Sequence, residues 1–339
     1  MCMLCPNLTS QIYQESLSTC PVVTVIPFIQ SLRVLDCRSS SIVQLPVLPN
    51  LAVLYCKDID LDQVVALPAL HTLVYEGSSP LPSLPHLESL ECDPSTIGRL
   101  PHLPELTVLD CGDMDMDTVA ALPKLTHLNY RGTELATLPM VRTLEYLSCE
   151  KTRIRTLPAY PKLEKLDCYE CPLLVALPSF PRLVELDCHD CVSLLIIGEC
   201  RRMEHLDCDG CTHLASLPFP CPQLRALEID DCRGLFAVPI YPKLHTLSYN
   251  NTPLTSTPFY PDAYETYADG CPWLAPLLTE NIPDVIHLQR WTRRCLKRKR
   301  FIRLITSRAF NEFFFAPDQK GGQWNKRRME QGFGADKRE

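Results

Sequence analysis

Residues 161–178 read PKLEKLDCYECPLLVALP, and most of the chain is a variation on that phrase. The next copies are PRLVELDCHDCVSLLII from Pro181 and MEHLDCDGCTHLASLP from Met203. The first apolar residue of each unit falls at 32, 51, 70, 87, 106, 125, 144, 163, 183, 203, 224 and 244. A period near 20 means that each unit is one small supersecondary piece, which buries its apolar face only by stacking on its neighbours. A chain written this way is therefore expected to be a solenoid, whatever its total length.

Within one unit, Leu163-x-x-Leu166-Asp167-Cys168 reads as a short strand. Side chains alternate along a strand, so Leu166 and Cys168 point inward and Asp167 outward. Stacked strands pair in parallel about 4.8 Å apart. Leu174 and Leu177 return the chain across the far side of the core. The prolines at 178 and 181 have no N–H to give to a ladder and belong to that extended return path. The pattern resembles the leucine-rich-repeat family, L-x-x-L-x-L/C-x-x-N/C-x-L, over roughly residues 30 to 277. The short units ending in Leu-Pro look like the proline-marked subclass found in secreted bacterial effectors. The resemblance implies an α/β leucine-rich-repeat horseshoe of about 13 short parallel strands with a mostly extended convex side. It implies nothing specific about function, because function lives in sites placed on a fold.

The expected organisation is a degenerate N-terminal cap repeat at 1–29, the solenoid at 30–281, a basic helical tail at 282–330 and a disordered end at 331–339. In the cap, Cys20 to Pro27 aligns with Cys171 to Pro178, and Ile12 lies one period before Leu32. Two units have longer returns with near-helical apolar spacing: Ile59, Leu61 and Val64 in one, Met114, Met116 and Val119 in the other. The unit near Tyr264 is degenerate and is expected to begin the C-terminal cap. No stretch reaches the roughly 18 apolar residues of a membrane span, and no export signal is visible at the N-terminus. With 19 cysteines, an odd number in a long chain, reduced thiols and a cytoplasmic setting are expected.

Three C-x-x-C pairs, Cys168/Cys171, Cys188/Cys191 and Cys208/Cys211, look at first like zinc ligands. The equivalent positions argue otherwise. The first cysteine is replaced elsewhere by Tyr75, Tyr130, Ile229 or Tyr249, so it is a packing position. The second is replaced by Ser40, Thr152 or Thr252, small groups that bond turn backbone. C-x-D occurs at Cys56, Cys111 and Cys188. In leucine-rich effectors that are ubiquitin ligases such a motif carries the nucleophile, but here each cysteine faces the core, where a thiol without a base is inert. No phosphate loop, H-E-x-x-H or nucleophile elbow is present. No catalytic residue, metal or cofactor is expected.

Charge is divided along the chain. Of 33 Lys+Arg, 15 lie in residues 287–339, with only 5 of the 40 Asp+Glu; the remaining 18 and 35 leave residues 1–286 at a net -17, against +10 for the tail. Outward strand positions hold Asp36, Glu91, Asp110, Asp167, Asp187, Asp207 and Glu228, and Glu170, Asp190, Asp209, Asp230 and Asp231 follow in the next positions. Stacking sets these carboxylates side by side on the concave face, a mildly unfavourable arrangement that a basic partner relieves. His189 and His205, on the same side, read as surface residues. The expected partner site is Asp167, Glu170, Asp187, Asp190, Asp207, Asp209, Glu228 and Asp230.

The tail interleaves Leu288, Trp291, Leu296, Phe301 and Ile302 with Arg290, Arg293, Arg294, Lys297, Arg298, Lys299 and Arg300, as in a basic amphipathic helix. Leu288, Gln289, Arg293, Arg298 and Phe301 resemble the calmodulin-binding IQ motif, although Arg294 stands where that motif prefers glycine. Such a segment also suits a capping helix, an anionic membrane or nucleic acid. The run Gln289-x-Trp291, basic residues, Ser307-x-x-Phe310, aromatics, Pro317 and Gly321-Gly322 is similar to tails of leucine-rich-repeat proteins of giant DNA viruses. The sequence thus points to a non-enzymatic protein-binding module that takes a basic partner on its acidic face. The alternatives are a ubiquitin-ligase adaptor and a virion or virus-factory structural protein addressed through its tail.

Overall fold

The computed structural model describes residues 24–254, apart from positions 43, 60, 62–66, 78–79, 93–98, 113–114 and 131–135, together with the strands at 16–18 and 265–267. Fourteen strands form one sheet and run in chain order: β1 (Ser16–Ser18), β2 (Val34–Asp36), β3 (Val53–Lys57), β4 (Thr72–Glu76), β5 (Ser89–Cys92), β6 (Val108–Cys111), β7 (His127–Tyr130), β8 (Tyr146–Ser148), β9 (Lys165–Asp167), β11 (Glu185–Asp187), β13 (His205–Asp207), β14 (Ala226–Glu228), β15 (Thr246–Ser248) and β16 (Glu265–Tyr267). The two remaining strands, β10 (Ala176–Leu177) and β12 (Ile196–Ile197), pair with each other on the return side. Every pairing is parallel, and the strand leucines lie in register: Leu147, Leu166, Leu186, Leu206, Leu227 and Leu247 are successive partners. This is a leucine-rich-repeat-type parallel β solenoid.

One core runs through it. The first apolar residue of every unit, from Leu32 to Leu244, is almost wholly buried, as are the strand leucines. The inward position two residues after the strand leucine is also closed, whether it holds Cys168, Ile229, Tyr130 or Tyr249. Tyr75 is far larger than cysteine. It fits because Gly77 beside it has no side chain: a Cβ there would lie 2.6 Å from the Tyr75 ring. Each leucine so buried is worth about 1.5–3 kcal/mol relative to exposure, which is what holds units that have little regular hydrogen bonding of their own.

Helix is scarce among the described residues. One five-residue helix, α1 (Met116–Ala120), occupies the long return after β6. Asp115 caps it by accepting from the Asp117 N–H, and Val119 is its buried anchor. Met116 packs against the core at its edge. The helical spacing read there was therefore right for Met116 and Val119. Apart from α1, the described parts of the return paths carry no α-helix, so the class is nearer to all-β than to the α/β label. The expected tail helix, with Leu288, Gln289, Arg293, Arg298 and Phe301, lies outside the described residues. So does Ile12 of the cap repeat.

The corners after β8, β9, β11, β13, β14 and β15 each take a left-handed residue. Lys151, Glu170, Asp190, Gly210, Asp231 and Asn251 all have φ between 51° and 68°. Asn, Asp and Gly tolerate this region best, which accounts for much of the polar character of that position.

Candidate functional site

The exposed face of the large sheet shows the residue between the two inward positions of each strand. From β2 to β8 this column reads Asp36, Tyr55, Val74, Glu91, Asp110, Asn129 and Ser148. From β9 to β14 it reads Asp167, Asp187, Asp207 and Glu228, four carboxylates on four successive strands, before Ser248 on β15. A second column runs beside it: Tyr169, His189, Asp209, Asp230 and Asn250.

The aspartates of the first column do a structural task. Asp187 accepts from the His189 N–H at 3.2 Å and Asp207 from the Asp209 N–H at 3.1 Å. Asp36 accepts the Arg38 N–H in the same way. A carboxylate two residues before a turn N–H satisfies a donor that the strand leaves behind. The recurring Leu-Asp-Cys phrase therefore has a backbone cause as well as a surface consequence. Its N-terminal example is neutralised, because Arg38 forks onto both Asp36 oxygens at 3.1 and 2.9 Å and holds that carboxyl below its ordinary range.

The C-terminal block is less compensated. Lys165 reaches Glu185 at 3.2 Å and Asp167 at 3.9 Å, and the Tyr146 hydroxyl donates to Asp167 at 2.8 Å. His189 lies 2.7 Å from Asp187 and stacks on Tyr169 with centroids 4.5 Å apart. Burial pulls its basicity down, but the Asp187, Asp207 and Asp190 carboxylates outweigh that and raise it. Asp207, Asp209, Glu228 and Asp230 have no ion-pair partner among the described residues. Instead, Asp209 accepts the Asp230 N–H at 2.6 Å, and Asp230 accepts from Ser248 and from both the backbone and side-chain N–H groups of Asn250 at 2.7 Å. Partial burial, reinforced by neighbouring carboxylates, raises Asp207 and Glu228 and pushes Asp209 up to about 7. Asp167 is raised as well, again chiefly by burial.

Of the expected site residues, the structure brings together Asp167, Asp187, Asp207, Asp209, Glu228 and Asp230. Glu170 and Asp190 instead sit at the left-handed corners beyond the strands, exposed and off the two columns. Sequence reasoning read them as a continuation of the stripe because a corner is invisible in an alternating pattern. It also missed Tyr169 and Tyr146, which support His189 and Asp167. His189 is half-buried between Tyr169 and Asp187 rather than a plain surface residue. Asp187, His189 and Asp207 hold ligand atoms within 4.8 Å of one another, as do Asp207, Asp209 and Glu228. These are the places on this face where a divalent cation would fit, though acidic faces are common without one.

The cysteines form a separate ladder inside the core. All fourteen described cysteines are free thiols and all are buried. The second cysteine of each pair donates to the carbonyl of the first cysteine in the preceding unit: Cys171 to Cys149, Cys191 to Cys168, Cys211 to Cys188 and Cys232 to Cys208, at 3.0–3.2 Å. Where threonine or serine replaces it, the hydroxyl bonds its own unit instead, Thr152 to Cys149, Thr252 to Tyr249 and Ser40 to Cys37. The expected role of this position, bonding turn backbone, is the observed one. Burial pushes the Cys37 thiol up to about 12 and raises Cys56 and Cys149 further still. The C-x-D cysteines Cys56, Cys111 and Cys188 are fully enclosed, so none presents a nucleophile to solvent.

The fold and this face together define a leucine-rich-repeat solenoid with an acidic strand face. No protein-family model matches the chain, and no curated protein sequence matches it. Among solved structures it is similar to YopM from Yersinia enterocolitica, at 20% identity and a TM-score of 0.49, covering 79% of this chain and 71% of that one. It is also similar to CroV588, described as a circular leucine-rich-repeat protein, at 13% identity and a TM-score of 0.44, over 75% of this chain but only 46% of that one. A third is the functional domain of InlJ from Listeria monocytogenes, at 19% identity and a TM-score of 0.37, over 79% of this chain and 67% of that domain.

Proposed function

We propose that this protein is a non-enzymatic binding module that takes a basic segment of a protein partner along the exposed sheet face of β9, β11, β13 and β14. One observation carries the reading: four carboxylates stand in register on four successive strands, with Lys165 as the only ion-paired lysine beside them among the described residues. Side chains directly opposite on paired strands are close neighbours, and like charges there are destabilising. A partner with arginines or lysines at strand spacing removes that repulsion, and the field of the face steers it in. The leucine-rich-repeat architecture suits the role, because stacked units make one long continuous surface.

The test is binding of a labelled lysine- and arginine-rich peptide to the full chain and to the triple variant Asp167→Asn, Asp187→Asn, Asp207→Asn. Asparagine keeps an acceptor for the turn N–H groups while removing the charge. Affinity is expected to fall at least about tenfold, with a shallower salt dependence. Equal affinity for wild type and variant, with Asp36→Asn as the control on the other half, would sink the proposal.

A further inference from the structure

The acidic block stops at Glu228 on β14, and Ser248 and the degenerate strand β16 follow. Beyond β16 the same chain continues into a segment of opposite sign. Residues 290–303 contain Arg290, Arg293, Arg294, Lys297, Arg298, Lys299, Arg300 and Arg303 and no acidic residue. We infer that residues 290–303 occupy the acidic face of β9–β14 in the same molecule when no partner is bound, so that a partner must displace the chain's own basic segment.

Three observations meet in this assignment. The first is charge: the β13–β14 part of the face lacks ion-paired cations where the tail has cations in excess. Asp207, Asp209, Glu228 and Asp230 are without an ion-pair partner among the described residues, while the tail carries a net +10. The second is position. The acidic block lies at the end of the sheet nearest the tail, with β13 three strands from β16, a distance of about 15 Å at normal strand spacing. The third is reach. Residues 268–289 separate β16 from Arg290. Fully extended they span about 75 Å, and even wound as a helix about 33 Å, so either conformation covers the distance. A tether of this length makes the encounter intramolecular, which raises the effective concentration of the basic segment far above that of a free partner. The N-terminal half offers no equivalent seat: its column is broken by Tyr55 and Val74, and its Asp36 is already held by Arg38. The raised basicity of Asp207, Asp209 and Glu228 fits a face whose charges are balanced only when something cationic lies on it.

The inference rests on the acidic face being a binding surface, and the experiment separates the two. The full chain is cross-linked with a zero-length carbodiimide in the presence of a chelator, as an equal mixture of isotopically light and heavy copies. Lys165 to Glu185, 3.2 Å apart, serves as the internal control. Links from Lys297 and Lys299 to carboxylates of β9–β14 within one copy are expected, and they should vanish at about 1 M salt, where the Debye length falls to about 3 Å. If the control link forms but the tail lysines link elsewhere or not at all, the inference is overturned. Links only between light and heavy copies overturn it too, in favour of a second molecule as occupant. In parallel, a labelled peptide of residues 288–303 is titrated into the wild-type full chain and into a full chain with the eight tail charges changed to glutamine. The variant is expected to bind it about tenfold more tightly, because the internal competitor is gone. Equal binding to both overturns the cis occupant but keeps the acidic face. Binding to neither overturns the acidic face as well.

Discussion

The two halves of the solenoid solve the same packing problem with different residues. From β9 to β14 the units are near copies: cysteine, or Ile229 on β14, faces the core, a cysteine closes the turn, and aspartate or glutamate faces out. From β2 to β7 the inward column has tyrosine, Tyr75 and Tyr130, at every third place among cysteines, one described return path holds a helix, and the outward column mixes Asp36, Tyr55, Val74, Glu91, Asp110 and Asn129. Both halves bury the same leucines to the same extent. What differs is the surface. Regularity at a 20-residue period places identical side chains about 4.8 Å apart, so a residue that is harmless once becomes a stripe when repeated. The carboxylate column is thus partly a by-product of Asp36, Asp187 and Asp207 each accepting from the N–H two residues on. Where the repeat drifts, as at Tyr55 and Val74, the stripe breaks.

The largest effect is expected where the halves are alike. Leu206→Ala on β13 and Leu73→Ala on β4 should each cost about 2–5 kcal/mol, measured by urea unfolding. A much smaller loss in one half would show that its core is not continuous with the other. Next comes the contrast in the turn columns. Cys191→Ala removes the donor to the Cys168 carbonyl and should cost about 1–3 kcal/mol, with Cys191→Ser recovering part of it by a hydroxyl bond within its own unit, of the kind Thr152 makes to the Cys149 carbonyl. Tyr75→Phe, which loses the hydroxyl bond to the Ile59 carbonyl at 3.2 Å, should cost about 1 kcal/mol by thermal or chemical unfolding.

Electrostatics should separate the halves further. Asp209, raised to about 7, binds its proton more tightly in the folded chain than in the unfolded one. Its contribution to stability is present below the unfolded value near 4 and is lost as pH rises toward about 7. His189 works in the same direction, since its raised basicity favours the folded state at low pH and fades as pH rises through its folded value. Unfolding midpoints measured across pH 5 to 8 should therefore decline with rising pH, and Asp209→Asn should flatten that slope. An unchanged slope would mean that this carboxylate is better solvated than its neighbours suggest. The smallest effect is expected at Asp36→Asn. It breaks an exposed pair with Arg38 and should change stability by about 0–1 kcal/mol, measured in the same way.

Much of this was legible in the residues. The period gives the stacking, the alternation gives the inward leucines and cysteines, and the replacement of cysteine by Tyr75 or Ile229 shows a packing position rather than a metal ligand. The short helix was visible in the spacing of Met116 and Val119. The candidate site was legible only in part. Asp167, Asp187, Asp207, Asp209, Glu228 and Asp230 share the two columns that their register implies, while Glu170 and Asp190 fall one residue further on, at the left-handed corners. A left-handed corner rotates a side chain away from the strand it follows, and a one-dimensional pattern carries no sign of that rotation.

The sequence by itself determined the stacking of units, the leucine core and the opposition between an acidic body and a basic tail, because each depends only on residue type and period. The tertiary structure alone decided which carboxylates are neutralised. Arg38 folds onto Asp36, Lys165 reaches across to Glu185, and Tyr169 holds His189 beside Asp187, while half-buried Asp207 and Asp209 gather with exposed Glu228 without such help. Charge balance depends on distances of a few ångströms between side chains from different units, and those distances exist only once the units have stacked.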